Sequence, residues 1–113
     1  GSFGIIWSSI LMILMTPRGL RLYDPMFGSR LRELLFEPND DTLAQMADFF
    51  IRDAIESSGE NRASVRTVTV TSRADEVAFA IVFDFAGETY QGNLVLRRNT
   101  AFDLVMQNVG RVA

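Results

Sequence analysis

The chain has 113 residues, of which 48% are hydrophobic, enough for one domain with a substantial core. Its 11 basic residues, all arginine, and 14 acidic residues leave a net charge of −3, and no basic patch is dense enough to argue for nucleic acid. Without cysteine or histidine, the chain has no disulfide framework, thiolate nucleophile, imidazole base or common zinc site.

The opening run FGIIWSSILMILM is much shorter than the ~20 apolar residues of a membrane span. Trp7, Ile10, Leu11 and Leu14 recur at helical spacing, which predicts a helix over 5–15. Ile6, Met12 and Ile13 make it apolar almost all round, so it either crosses the core or meets a partner. TPRG stops it, and LRLYD alternates briefly as a short strand would. Residues 29–36 read as a short helix with Ser29 as its cap and Leu31, Leu34 and Leu35 inward; EPND ends it. A second helix is predicted over 42–57, with Thr42 and Gln45 at capping-box spacing and Asp40 or Asp41 as alternative caps. Its apolar face is Leu43, Met46, Ala47, Phe50, Ala54 and Ile55, and Gly59 suits the position just past its end.

After Gly59 the period changes to two. VRTVTVT sets Val68 and Val70 against Thr67, Thr69 and Thr71. VAFAIVFDF is apolar on much of both faces and reads as a central strand. AGE turns the chain at Gly87, and TYQGNLVLR returns with Tyr90, Leu94 and Leu96 on one face. The expected fold is α+β, with N-terminal helices packed on a small antiparallel β-meander. The tail from 99 to 113 fits helix and strand alike and is an uncertain extension of a single domain over 1–113.

Catalytic signals are sparse. Glu33 and Glu37 lie four apart, and paired carboxylates can cleave glycosidic bonds. Arg30 and Arg32 beside Glu33 favour an ordinary ionised group over the raised acid such chemistry needs. There is no phosphate-cradling glycine loop, nucleophile elbow or metal-ligand motif, so neither cofactor nor metal is expected.

The order of the pieces carries more information. The stretch SSILMILMTPRGLRLYDPMFGSRLRELLFEPND, the IRDAI helix and ENRASVRTVTV together resemble the W-type, lysozyme-like family of baseplate wedge proteins from contractile-tailed phages and related injection machines. Glu60 and Arg62 match the charged residues of that family's glutamate-proline-arginine motif, and Asn61 stands where the family has proline. The likeness spans residues 8–98 and implies a structural, non-enzymatic subunit of the virion tail baseplate or an equivalent particle, assembled in the host cytoplasm. Implied partners are the larger wedge proteins of the inner ring and first-ring sheath subunits, with tail tube or hub proteins as further candidates and neither nucleic acid nor membrane. Sheath arms would add at a sheet edge, formed by the strand near 88–97 or the one near 65–71. The residues expected at protein interfaces are Glu60, Arg62, Arg32, Glu33, Trp7 and Tyr90. The competing readings are a peptidoglycan hydrolase using Glu33 or Glu37, and a small adaptor of another assembly.

Overall fold

The computed structural model describes residues 2–98 and 103–111, with side chains from residue 3 to residue 98. Helix α1 (Ser2–Met15) is followed by a loop and a 3-10 helix (Leu31–Phe36). Helix α2 (Asp41–Ser57) then leads into strands β1 (Ala63–Ser72), β2 (Glu76–Phe85), β3 (Glu88–Arg97) and β4 (Asp103–Arg111). The strands form one antiparallel sheet in the order β1-β2-β3-β4. The helices cover one face of its meander, as the change of apolar period predicts.

Ile6, Trp7, Ile10, Ile13 and Leu14 of α1 form the buried stripe, while Ile5, Met12 and Met15 remain exposed. The helix is therefore one-sided in its packing although apolar all round. Its end is sealed by Thr16, whose Oγ1 donates to Met12 O at 2.6 Å, before Pro17 removes the next donor. At α2, Asp40 is the cap: its Oδ1 accepts from Thr42 N at 2.9 Å and Leu43 N at 3.3 Å. The buried face is Leu43, Ala47, Phe50, Ile51, Ala54 and Ile55; Ile51 joins the expected face and Met46 is only half-buried at its margin. The helix closes in a Schellman motif, with Gly59 N donating to Glu56 O and Glu60 N to Ile55 O; Gly59 takes the required positive φ of 81°.

On the sheet, Val77, Phe79, Ile81, Phe83, Tyr90, Leu94 and Leu96 face the helices and are buried. Strand β2 pairs in register with β1 on one side and β3 on the other, as its two apolar faces suggest. Ala86 (φ 53°) and Gly87 (φ 80°) form the two-residue hairpin turn to β3. Arg98 clips the other end of the meander to the 3-10 helix: its guanidinium donates to Leu35 O at 2.9 Å, to Ser72 Oγ at 2.8 Å and to Arg73 O.

Three expectations change. LRLYD is a loop, not a strand: Leu20, Leu22 and Tyr23 are exposed, and the segment has no strand partner among the described residues. Ser29 does not cap the short helix as a first residue. It is buried, donates its hydroxyl to Leu14 O at 2.8 Å and accepts from Leu31 N at 3.4 Å, joining two helices. The ambiguous tail contains a strand over 103–111, so β3 has neighbours on both sides and is not an edge.

Candidate assembly surfaces

The carboxylates of the 3-10 helix distinguish chemistry from scaffolding. Arg30 donates to both oxygens of Glu33, at 2.8 and 2.9 Å, on the exposed side of the 3-10 helix. These hydrogen bonds hold the Glu33 carboxyl below its ordinary range, the opposite of a proton donor working near neutrality. Arg32 is exposed on the same short helix. Among the described residues no group of three or more acidic side chains could hold a metal ion. No described helix is long and apolar enough to cross a membrane.

Glu60 and Arg62 flank the turn from α2 to β1. Arg62 grips Glu60 bidentately, Nε at 2.9 Å from Oε1 and a terminal nitrogen at 2.7 Å from Oε2, and its backbone N–H donates to Oε1 at 3.1 Å. Ser9 of α1 donates to Oε2 at 2.7 Å, a contact with no signature in the sequence. The Glu60 side chain is 7% exposed and that of Arg62 50%. The Arg62 hydrogen bond, helped by Ser9 and opposed by burial, lowers the Glu60 pKa to about 2. The pair thus ties α1 to the helix–sheet junction and leaves one side of the guanidinium open. Asn61, in the place of proline, does not prevent this clasp.

Trp7 and Tyr90 do not lie on a surface. Trp7 is 2% exposed, stacked at 6.0 Å from Phe83, and Tyr90 packs 4.9 Å from Phe3. The indole occupies the space left by Gly92 of β3, where a Cβ would lie 2.2 Å from its ring. Both aromatic residues serve the core.

Exposed apolar side chains lie elsewhere: Ile5, Met12 and Met15 on α1, Phe36 at the end of the 3-10 helix, Phe49 on α2, and a group on the loop between α1 and the 3-10 helix. Leu20, Leu22, Tyr23 and Met26 project from it, Tyr23 being 96% exposed. The neck of the loop is held firmly. Ser29 N donates to Thr16 O at 2.8 Å, Arg18 N to Ser29 O at 3.1 Å, and the Arg18 side chain pairs with Asp53 of α2 at 2.7 Å. Gly28 has φ 111°, and its absent side chain admits Thr16 O, which a Cβ would approach to 2.4 Å. Arg21 stacks on Phe27 at 3.6 Å.

β1 is the outer strand of the meander, so its second edge faces away from β2. A bulge at Arg66 interrupts its register. There Arg52 of α2, held by both oxygens of Asp48, donates to Val65 O and Arg66 O at 2.7 Å each. This guanidinium engages the backbone at the bulge, leaving 67–72 as the regular stretch beyond it. The role of Arg52 was not foreseen because bulges and edge carbonyls leave no pattern in side-chain type.

A family model for the baseplate wedge protein gp25 matches residues 5–89, from α1 to the start of β3. The chain belongs to the baseplate wedge protein gp25 family. This gp25-family protein therefore has a structural role in the phage tail baseplate. A crystal structure from Geobacter sulfurreducens, provisionally described as a tail lysozyme, is similar with a TM-score of 0.68 and 24% identity. The alignment covers 86% of this chain and 89% of that one. At that identity the likeness is one of fold. No curated protein matches the gp25-family chain.

Proposed function

We propose that this gp25-family chain is a non-catalytic wedge subunit, a single domain in which β4 completes the sheet. It binds the larger wedge proteins of the inner ring and anchors the first ring of sheath subunits, which add a strand along β1. Tail tube or hub proteins are its further neighbours, and assembly takes place in the host cytoplasm. The observation that carries this reading is the β1 edge over 67–72. It is rich in β-branched residues, free of charge and proline, and faces away from β2. Such an edge invites aggregation unless another strand covers it. The exposed loop residues Leu22 and Tyr23 supply apolar area for a wedge protein, and the open side of Arg62 can add a hydrogen bond to a partner carboxylate. The fixed Arg30–Glu33 pair argues against the hydrolase reading.

The test is a pair of adjacent prolines. Consecutive residues of an antiparallel edge strand direct their N–H groups to opposite sides, so Thr69→Pro and Val70→Pro remove different bonds. The variant that loses the inward bond should melt earlier. The other should melt nearly as wild type and still enter baseplates, yet fail to start sheath. Sheath initiation as in wild type by that second variant would refute strand addition at β1.

A further inference from the structure

A cavity of about 560 Å³ opens between the C-terminal half of α2 and the first residues of β1. Its apolar wall consists of Ile55, Ala63 and Val65. Three charged side chains line it, and two are already committed. Arg52 is taken by Asp48 and two backbone carbonyls, and Glu60 by Arg62 and Ser9. Glu56 is exposed and, among the described residues, its carboxylate has no hydrogen bond or ion pair.

The position of Glu56 adds a second argument. It sits in the last turn of α2, where aligned peptide dipoles favour a cation and disfavour an anion. That turn contains no basic residue. The helix end and Glu56 therefore both leave negative potential at the cavity, beside an apolar wall. A long aliphatic side chain ending in a cation matches this combination: its stem covers the wall and its head meets Glu56. An anion would meet Glu56 and the helix end, and the two arginines nearby already have carboxylate partners.

The wall residues Ala63 and Val65 begin the strand whose edge continues over 67–72. We propose that the cavity is a socket for a Lys or Arg side chain of the segment that pairs along β1. This rests on the strand-addition reading. It adds to that reading a chemical requirement on the partner: an extended segment, alternating in polarity along β1, with a basic residue beyond the Arg52 stop.

The experiment is an amide-shift NMR titration of the full chain with N-acetyl-arginine methylamide, with the uncharged citrulline analogue as control. Shifts should cluster at Ile55, Glu56, Gly59, Asn61 and Ala63. Replacing arginine by citrulline, or Glu56→Gln in the protein, should weaken binding roughly two- to fivefold, the scale of a partly exposed ion pair. Glu56 has no internal partner, so Glu56→Gln should melt no earlier than wild type. Scattered shifts, or equal binding of both probes by wild type and Glu56→Gln, would overturn the socket. A failed titration together with a sheath defect in the outward proline variant removes the socket and leaves the edge; normal sheath initiation in that variant removes the edge itself.

Discussion

Gly92→Ala adds one methyl group to the middle of β3, opposite Ile81 of β2 and Val109 of β4. The new Cβ would lie 2.2 Å from two ring carbons of Trp7 and 2.5 Å from a third. Non-bonded carbons rest at about 3.5–4.0 Å, so the indole must retreat by more than about 1 Å. It has little room: Phe83 stacks at 6.0 Å, Phe3 at 6.4 Å, and the ring is 2% exposed. Overpacking of this kind costs about 1–3 kcal/mol, and a rigid ring with aromatic neighbours places this site near the upper end. At about 4 °C per kcal/mol for a domain of this size, the melting temperature should fall by on the order of 10 °C. Urea unfolding followed by circular dichroism measures the loss, with fluorescence of the single Trp as a second probe. The decisive comparison is a double-mutant cycle with Trp7→Leu. Trp7→Leu is costly alone, but in that background the extra methyl should cost less than about 0.5 kcal/mol, because the clashing ring is gone. An equal penalty in both backgrounds, or none in wild type, would show that the indole does not determine the need for glycine here.

Glu60 has its pKa lowered from 4.5 to about 2, so between those values the unfolded chain binds the proton more readily. Its stabilising contribution is complete above about pH 4.5 and disappears as pH falls through 2; melts of wild type and Glu60→Gln across that window should converge on acidification. Arg62→Ala leaves Glu60 with Ser9 as its remaining side-chain partner and should lower the melting temperature only modestly, while the chain stays folded and captures less wedge protein in pull-downs. Equal capture at matched folding would remove Arg62 from the interface. Wild type and Glu33→Gln should both release no more peptidoglycan fragments than a blank; release that Glu33→Gln abolishes would reinstate the hydrolase reading.

The helices and the meander were legible because their apolar residues keep period 3.6 and then period 2 with clear punctuation at Pro17, Gly59 and Gly87. LRLYD misled because its alternation lacks what makes a strand, a neighbour to pair with. The tail was undecidable since Phe102, Val105, Met106 and Val109 satisfy one period and Phe102, Leu104 and Met106 the other. Residue 102 itself lies outside the described residues. The Glu60–Arg62 pair was readable from its motif, but Ser9 joins it across 51 positions of sequence. Trp7 resembled an interface residue because nothing in a linear chain reveals that a glycine of a distant strand leaves room for it.

The closed neck of the loop between α1 and the 3-10 helix also bears on how such proteins change over time. The chain enters at Thr16 and leaves at Ser29 through one hydrogen-bonded crossing, fastened to α2 at Asp53 and, through Gly28 N and Ser58 Oγ, at 3.0 Å near its end. Beyond that crossing Phe27 returns to the core and Arg21 stacks on it, while Leu20, Leu22 and Tyr23 at the tip are exposed. Doubling the length of a flexible loop costs only about 0.6 kcal/mol in closure entropy. The exposed tip at Leu22 and Tyr23 can therefore be replaced or extended with little effect on the scaffold, whereas Arg21 is held by its stack on Phe27. One domain can fit differently sized neighbours by redrafting this tip, and a short insertion between Leu22 and Tyr23 should leave the domain folded while it changes which wedge surface the loop can meet.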